Sequence, residues 1–138
     1  MEVSNVCPSI QKYTKFISFD GTKIDSKIKK DLENRFEKVD WMSTTKTAEL
    51  AKILVDTTYY GWLINYAQIT KMICEKENVD FDEMWKFADE IHENLGNRPK
   101  MFPGIIGGHC VIPNLNLVKY ENLDMIKTVN EMYEKFKK

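Results

Sequence analysis

Three cysteines, two histidines and four prolines in 138 residues leave little material for a covalent or metal-built scaffold. Cys7, Cys74 and Cys110 are odd in number and share no C-x-x-C spacing, which argues against a disulfide framework and against a zinc site. Neither sign of charge is in surplus: 20 lysines and arginines face 21 acids, for a net charge of −1. No electrostatic case for nucleic acid follows. Asp56 and Lys71 bracket an uncharged stretch well short of the roughly 20 residues a bilayer span needs, so no membrane partner is expected. Met1-Glu2-Val3-Ser4-Asn5 carries no basic stretch followed by an apolar run; no secretory signal is read there, and a cytoplasmic protein is the expectation. Also missing is any G-x-G-x-x-G after a strand, the turn that holds a dinucleotide pyrophosphate. No internal repeat breaks the chain into units.

What is present reads as one core, mainly α, with a small β-α-β edge at the front and a long central helix packed by shorter ones. Tyr13 to Phe19 is β-branched and aromatic, closed by Asp20-Gly21, and predicts a strand. Asp25 or Ser26 caps a helix that sets Ile28, Leu32 and Phe36 on one face, with its lysines as a solvated face. Val39 to Met42 predicts a second short strand. Residues 1–43 thus resemble the last edge of a larger sheet, and residues 44–138 a helical domain.

From Thr45, read as the cap, a helix without proline is predicted to about Glu77. Its middle is apolar on nearly all sides, which predicts burial on two faces and a second copy of the chain along residues 45–77. Asp80 caps a further helix with Met84, Phe87, Ala88 and Ile91 inward, ended by Gly96. Residues 94–117 are expected to be a long loop. A last amphipathic helix from about Leu123 turns Met125, Ile126, Val129, Met132, Tyr133 and Phe136 inward. Asn65 and Gln68, on the long helix, are expected to hydrogen-bond between helices.

The chemistry concentrates in Phe102-Pro103-Gly104-Ile105-Ile106-Gly107-Gly108-His109-Cys110-Val111-Ile112-Pro113. Gly107 and Gly108 permit positive φ and close approach, and Pro103 and Pro113 fence the segment from helix or strand. Cys110 then reads either as a small buried apolar residue or as a thiol on a site loop. His109, adjacent to it, is placed to contact substrate or backbone. Lys52 and Asp56, one helical turn apart, read as an intrahelical ion pair or as a cation aimed at a developing oxyanion. A metal site from His92, His109, Cys110 and Cys74 matches no zinc spacing, so no metal is expected.

Thr47-Ala48-Glu49-Leu50-Ala51-Lys52-Ile53-Leu54, Thr57-Thr58-Tyr59-Tyr60, Met72-Ile73-Cys74-Glu75, Val79-Asp80 and Pro103 to Cys110 resemble, in words, order and spacing, the central domain of the UDP-glucose and GDP-mannose dehydrogenases. Residues 13–42 are similar to the closing β-α-β edge of that family's nucleotide-binding domain. The helix after G-G-H-C-V-I-P-N resembles a shortened branch without the C-terminal UDP-binding domain. The resemblance implies an NAD-dependent, two-step oxidation of a sugar-nucleotide alcohol, with Cys110 as nucleophile and Lys52 as oxyanion partner. It places Asp56, Gly107, Gly108, His109 and Asn114 against the substrate. NAD would be held only by a Rossmann half supplied elsewhere, and none by this chain alone. The chain departs from the family at Asp56, where the family has asparagine, and at Asn114, where it has aspartate. The other reading is a catalytically degenerate dimerisation or assembly module.

Overall fold

The computed structural model describes residues 13–21 and 24–138, and they are mainly helical, with a small parallel sheet near the N-terminus. The elements run β1 (Lys15–Ile17), α1 (Ser26–Arg35), β2 (Val39–Trp41), α2 (Thr45–Leu50), a π-helical stretch (Ala51–Thr58), α3 (Tyr59–Glu77), α4 (Phe81–Leu95), α5 (Val111–Val118), a short 3₁₀ turn (Glu121–Leu123) and α6 (Met125–Phe136). Two compact units divide the chain, one ending at Lys52 and the other Ile53–Lys138. That division falls inside the long helix, whereas the compositional one lies between 43 and 44.

The first unit is a β-α-β. β1 and β2 pair in parallel, Phe16 opposite Asp40. Asp25 caps α1 by accepting the Lys27 N–H at 2.7 Å, as its position predicts. Trp41 Nε1 donates to Glu33 on α1 at 2.8 Å, and the Lys29 ammonium stands over the Trp41 ring at 5.4 Å. The helix therefore covers the Trp41 side of the sheet. On the alternate side Phe16 remains 62% exposed. The strand is shorter than the predicted 13–19 span. Ile28, expected inward with Leu32 and Phe36, is also exposed, because among the described residues only two short strands lie beneath α1.

Helical structure continues for 33 residues from Thr45 to Glu77, as the unbroken pattern predicts. Its cap is Thr44 and not Thr45: the Thr44 hydroxyl accepts the Thr47 N–H at 3.0 Å. The π-helical stretch Ala51–Thr58 has no counterpart in the sequence pattern, since one extra residue per turn leaves composition unchanged.

In the second unit two apolar clusters form. Ala67 and Cys74 of α3 meet Phe81 and Trp85 of α4, and Ile106, Val111 and Leu115 meet Ile126 of α6. The buried face of α4 is Phe81 and Trp85, with Ala88 and Ile91 half-buried as predicted, whereas Met84 and Phe87, expected inward, are exposed, Phe87 to 80%. Trp85 wins the core position because its ring stands edge-on to Tyr66 at 6.1 Å while its Nε1 reaches the Thr70 hydroxyl at 3.3 Å. Asp80 caps α4, donated to by the Glu83 N–H, and Gly96 ends it at φ 68°, both as predicted. On α6, Ile126, Val129, Asn130 and Tyr133 are buried, while Met125, Met132 and Phe136, expected inward, are exposed.

Between the clusters lies a run of side-chain amides. Asn65 Nδ2 donates to Gln68 Oε1 at 2.9 Å and to the Ile126 carbonyl at 3.3 Å, and Gln68 Nε2 donates to Asn130 Oδ1 at 3.0 Å. The expectation that Asn65 and Gln68 hydrogen-bond between helices holds. Beside them Gly61 lets α3 approach α5: a Cβ there would stand 2.7 Å from Val111 Cγ1. Gly61→Ala should therefore destabilise by about 1–2 kcal/mol in urea unfolding, overpacking outweighing the better helix propensity of alanine. Val111→Ala in the same chain should recover part of that loss; an unchanged midpoint for Gly61→Ala would contradict the tight contact.

Candidate functional site

The expected loop 94–117 is shorter than its composition suggests. Helix α5 begins at Val111, and Pro113 sits within its first turn, where a missing N–H costs nothing. Pro113 thus helps begin a helix and does not fence one off. What remains irregular before α5 ends in an arch from Pro103 to Cys110.

The front of the arch is held from two helices. Gln68 Nε2 of α3 donates to the Gly104 carbonyl at 2.6 Å, and the Tyr133 hydroxyl of α6 donates to the Pro103 carbonyl at 2.8 Å. Asn130 grips both backbone polar groups of Ile106: the Ile106 N–H donates to Oδ1 at 2.7 Å, and Nδ2 donates to the Ile106 carbonyl at 3.3 Å. Nδ2 also reaches Glu134 Oε1 at 3.1 Å, which orients the amide. The far foot is Val111, buried against the site of Gly61.

Gly107, Gly108, His109 and Cys110 form the exposed crown between these feet. Cys110 is an exposed free thiol at the N-cap of α5, so the reading of it as a buried apolar residue is overturned. The thiol is outside because Val111, its neighbour, takes the buried position. Gly107 and Gly108 have no positive φ, contrary to the conformational role expected of them, and a Cβ at either meets nothing within 4 Å. Their effect is open space on the crown that carries Cys110. Asn114 lies one turn along α5, half-buried, its N–H donating to the Cys110 carbonyl at 3.2 Å.

Five of the residues singled out by sequence, Gly107, Gly108, His109, Cys110 and Asn114, are thus one continuous piece of the second unit. Lys52 and Asp56 lie on the π-helical stretch, both with exposed side chains and neither without a partner. Lys52 belongs to the first unit and Cys110 to the second. Cys74 is buried, its sulfur 3.6 Å from Met84 Sδ. Among the described residues no group of three or more His, Cys, Asp or Glu is placed to hold a metal. Nor is any helix among them long and apolar enough to cross a membrane.

Asn130 and Tyr133 were missed as holders of the arch. The available signal was a polar Asn130 inside the apolar stripe Ile126, Val129, Tyr133. A concavity of about 440 Å³ lies between α3 and α4, lined by Tyr59, Leu63, Tyr66, Met84, Trp85 and Phe87, with Arg98 among its polar residues.

No family model, curated protein or solved structure matches this chain.

Burial pushes the Tyr133 phenol above its usual 10.0, with Lys71 pulling it down and Glu75 pushing it up. Lys71 and Glu75 form an ion pair at 2.6 Å, whose hydrogen bond raises the ammonium and lowers the carboxyl. A phenol whose folded pKa is raised contributes stability that is fully present below the unfolded pKa and is lost as pH rises through the folded one. Denaturation above pH 10 should accordingly be less steep for Tyr133→Phe than for the parent, read from urea midpoints against pH; parallel curves would refute the assignment.

The open crown makes a second prediction. Gly107→Ala and Gly108→Ala should each raise stability by about 0.4–1 kcal/mol, because the resting backbone suits alanine and the unfolded chain loses freedom. Destabilisation by either, measured in urea, would mean that the crown is more crowded than its geometry indicates.

Proposed function

We propose that this chain is the substrate-site half of a nucleotide-sugar 6-dehydrogenase-type enzyme, with Cys110 as nucleophile and Lys52 as the cation stabilising the oxyanion. The observation that carries the reading is the exposed Cys110 thiol on an arch whose two glycines leave its approach clear. A soft sulfur nucleophile suits addition to an aldehyde carbon, and the oxygen that takes up the electron pair needs a cation beside it. Asp56, His109 and Asn114 are assigned to substrate contact by the same resemblance that assigns the lysine.

The sequence holds no glycine-rich phosphate turn, so its residues do not fit NAD, and the dinucleotide belongs to another half. The first unit supports that division. Parallel strands are ordinarily covered on both faces and continued by further strands, whereas among the described residues β1 and β2 are a pair of three-residue strands with Phe16 exposed. A sheet of this kind is what a Rossmann partner would extend.

A second reading, an assembly module without turnover, draws on the surface of α3. Tyr59, Trp62, Tyr66, Ile69 and Ile73 recur at alternating spacings of three and four, the period of a helix seam, and Tyr59, Tyr66 and Ile73 are more than half exposed. A homodimer through this helix suits either reading.

Mixing the chain with a separately produced NAD-binding half should give sugar-nucleotide-dependent reduction of NAD, and Cys110→Ser should bring it to background. Absence of turnover with any such half, together with a stable dimer in sedimentation, would favour the assembly module.

A further inference from the structure

We infer that Asn130 is the positioning residue of the Cys110 arch, a role that rests on the reading of Cys110 as the reacting group. Three of the four residues from Pro103 to Ile106, namely Pro103, Gly104 and Ile106, are hydrogen-bonded by side chains of α3 or α6, and Asn130 alone makes two such bonds to one residue. Its amide does for Ile106 what a neighbouring strand would do, satisfying N–H and C=O together. Ile106 is itself buried, so the clamp closes over an anchored side chain. Among the described residues no side chain outside the arch hydrogen-bonds residues 107–109. The crown is therefore held only at its feet, Ile106 under Asn130 and Val111 against the Gly61 site.

A four-residue crown with both ends fixed has few conformations, and freeing Ile106 lengthens the moving segment back to Gly104, which Gln68 still holds. Asn130 is well placed for this because Gln68 and Glu134 hold its own amide, the first donating to Oδ1 and the second accepting from Nδ2. The residue touches neither the thiol nor the space beside the glycines. Its influence on Cys110 passes through the backbone of Ile106 to Cys110.

A nitroxide attached to Cys110, in the full chain carrying Cys7→Ser and with Cys74 buried, reads this directly. The parent should give a restricted spectrum. In Asn130→Leu the label's rotational correlation time should shorten by about twofold or more, on the nanosecond scale of loop motion. A label at Lys86→Cys on α4, in a Cys110→Ser chain, should be unmoved by the same substitution. Tyr133→Phe removes only the Pro103 bond and should move the Cys110 spectrum in the same direction by less. An unchanged Cys110 spectrum in folded Asn130→Leu, or equal changes at both labels, would overturn the inference. Should Asn130→Leu fail to fold, Asn130→Asp, which keeps the acceptor for the Ile106 N–H and loses the donor to its carbonyl, decides: a faster Cys110 label supports the clamp and an unchanged one overturns it. The readout requires no turnover, so an unreactive Cys110 would remove the catalytic reading while leaving the clamp separately established or refuted.

Discussion

A buried chain of side-chain amides is the constraint on which the second unit depends. Asn65, Gln68 and Asn130 sit between two apolar clusters, and each hydrogen bond they make inside is one that water no longer supplies. Buried amides are costly when left unmet, so the set tolerates only arrangements in which α3, α6 and the arch meet at one register. Apolar contacts alone would allow those elements to slide. The network is one acceptor short of complete, since Asn65 Oδ1 has no partner, and Thr58 Oγ1 further up the same helix is likewise unmet. The arch is thus specified by helices distant from it in sequence, which hold its backbone at Pro103, Gly104 and Ile106.

How much of this was legible in the sequence depends on how local the cause is. The caps Asp25 and Asp80, the stop at Gly96 and the unbroken helix to Glu77 are decided by neighbouring residues, and each was readable. Asn65 and Gln68 announced themselves as amides in an apolar helix. The stripe of α4 was misread because Trp85, Met84 and Phe87 are all apolar, and only the partner helix, through Thr70 and Tyr66, selects the tryptophan. Pro113 was misread because proline marks a helix start and a helix stop equally well until the preceding residues are placed. The glycines of the crown pointed to the right segment for a reason the backbone does not bear out: their φ values are ordinary, and what they contribute is absent bulk. The π-helical stretch had no local signature at all.

The two units carry different kinds of incompleteness. In the first, among the described residues, α1 covers the Trp41 side of a parallel strand pair and Phe16 on the alternate side is exposed. In the second, Pro103, Gly104 and Ile106 of the arch are held by helix side chains, and from Gly107 to Cys110 the arch is exposed. A chain that spends its polar contacts on holding a loop still, and leaves the tip of that loop uncovered, has arranged rigidity behind an accessible sulfur. This is the pattern that joins the fold to the proposed chemistry, since a nucleophile gains from being held and loses from being covered.

Trp85 has an optical consequence. Its indole closes the inner wall of the concavity between α3 and α4, fixed edge-on to Tyr66 and hydrogen-bonded to Thr70. An indole held in that way at the base of an open hollow changes its emission when a neighbouring surface displaces water from it. The protein therefore carries a built-in fluorophore for whatever comes to rest against those two helices, without any dye being attached.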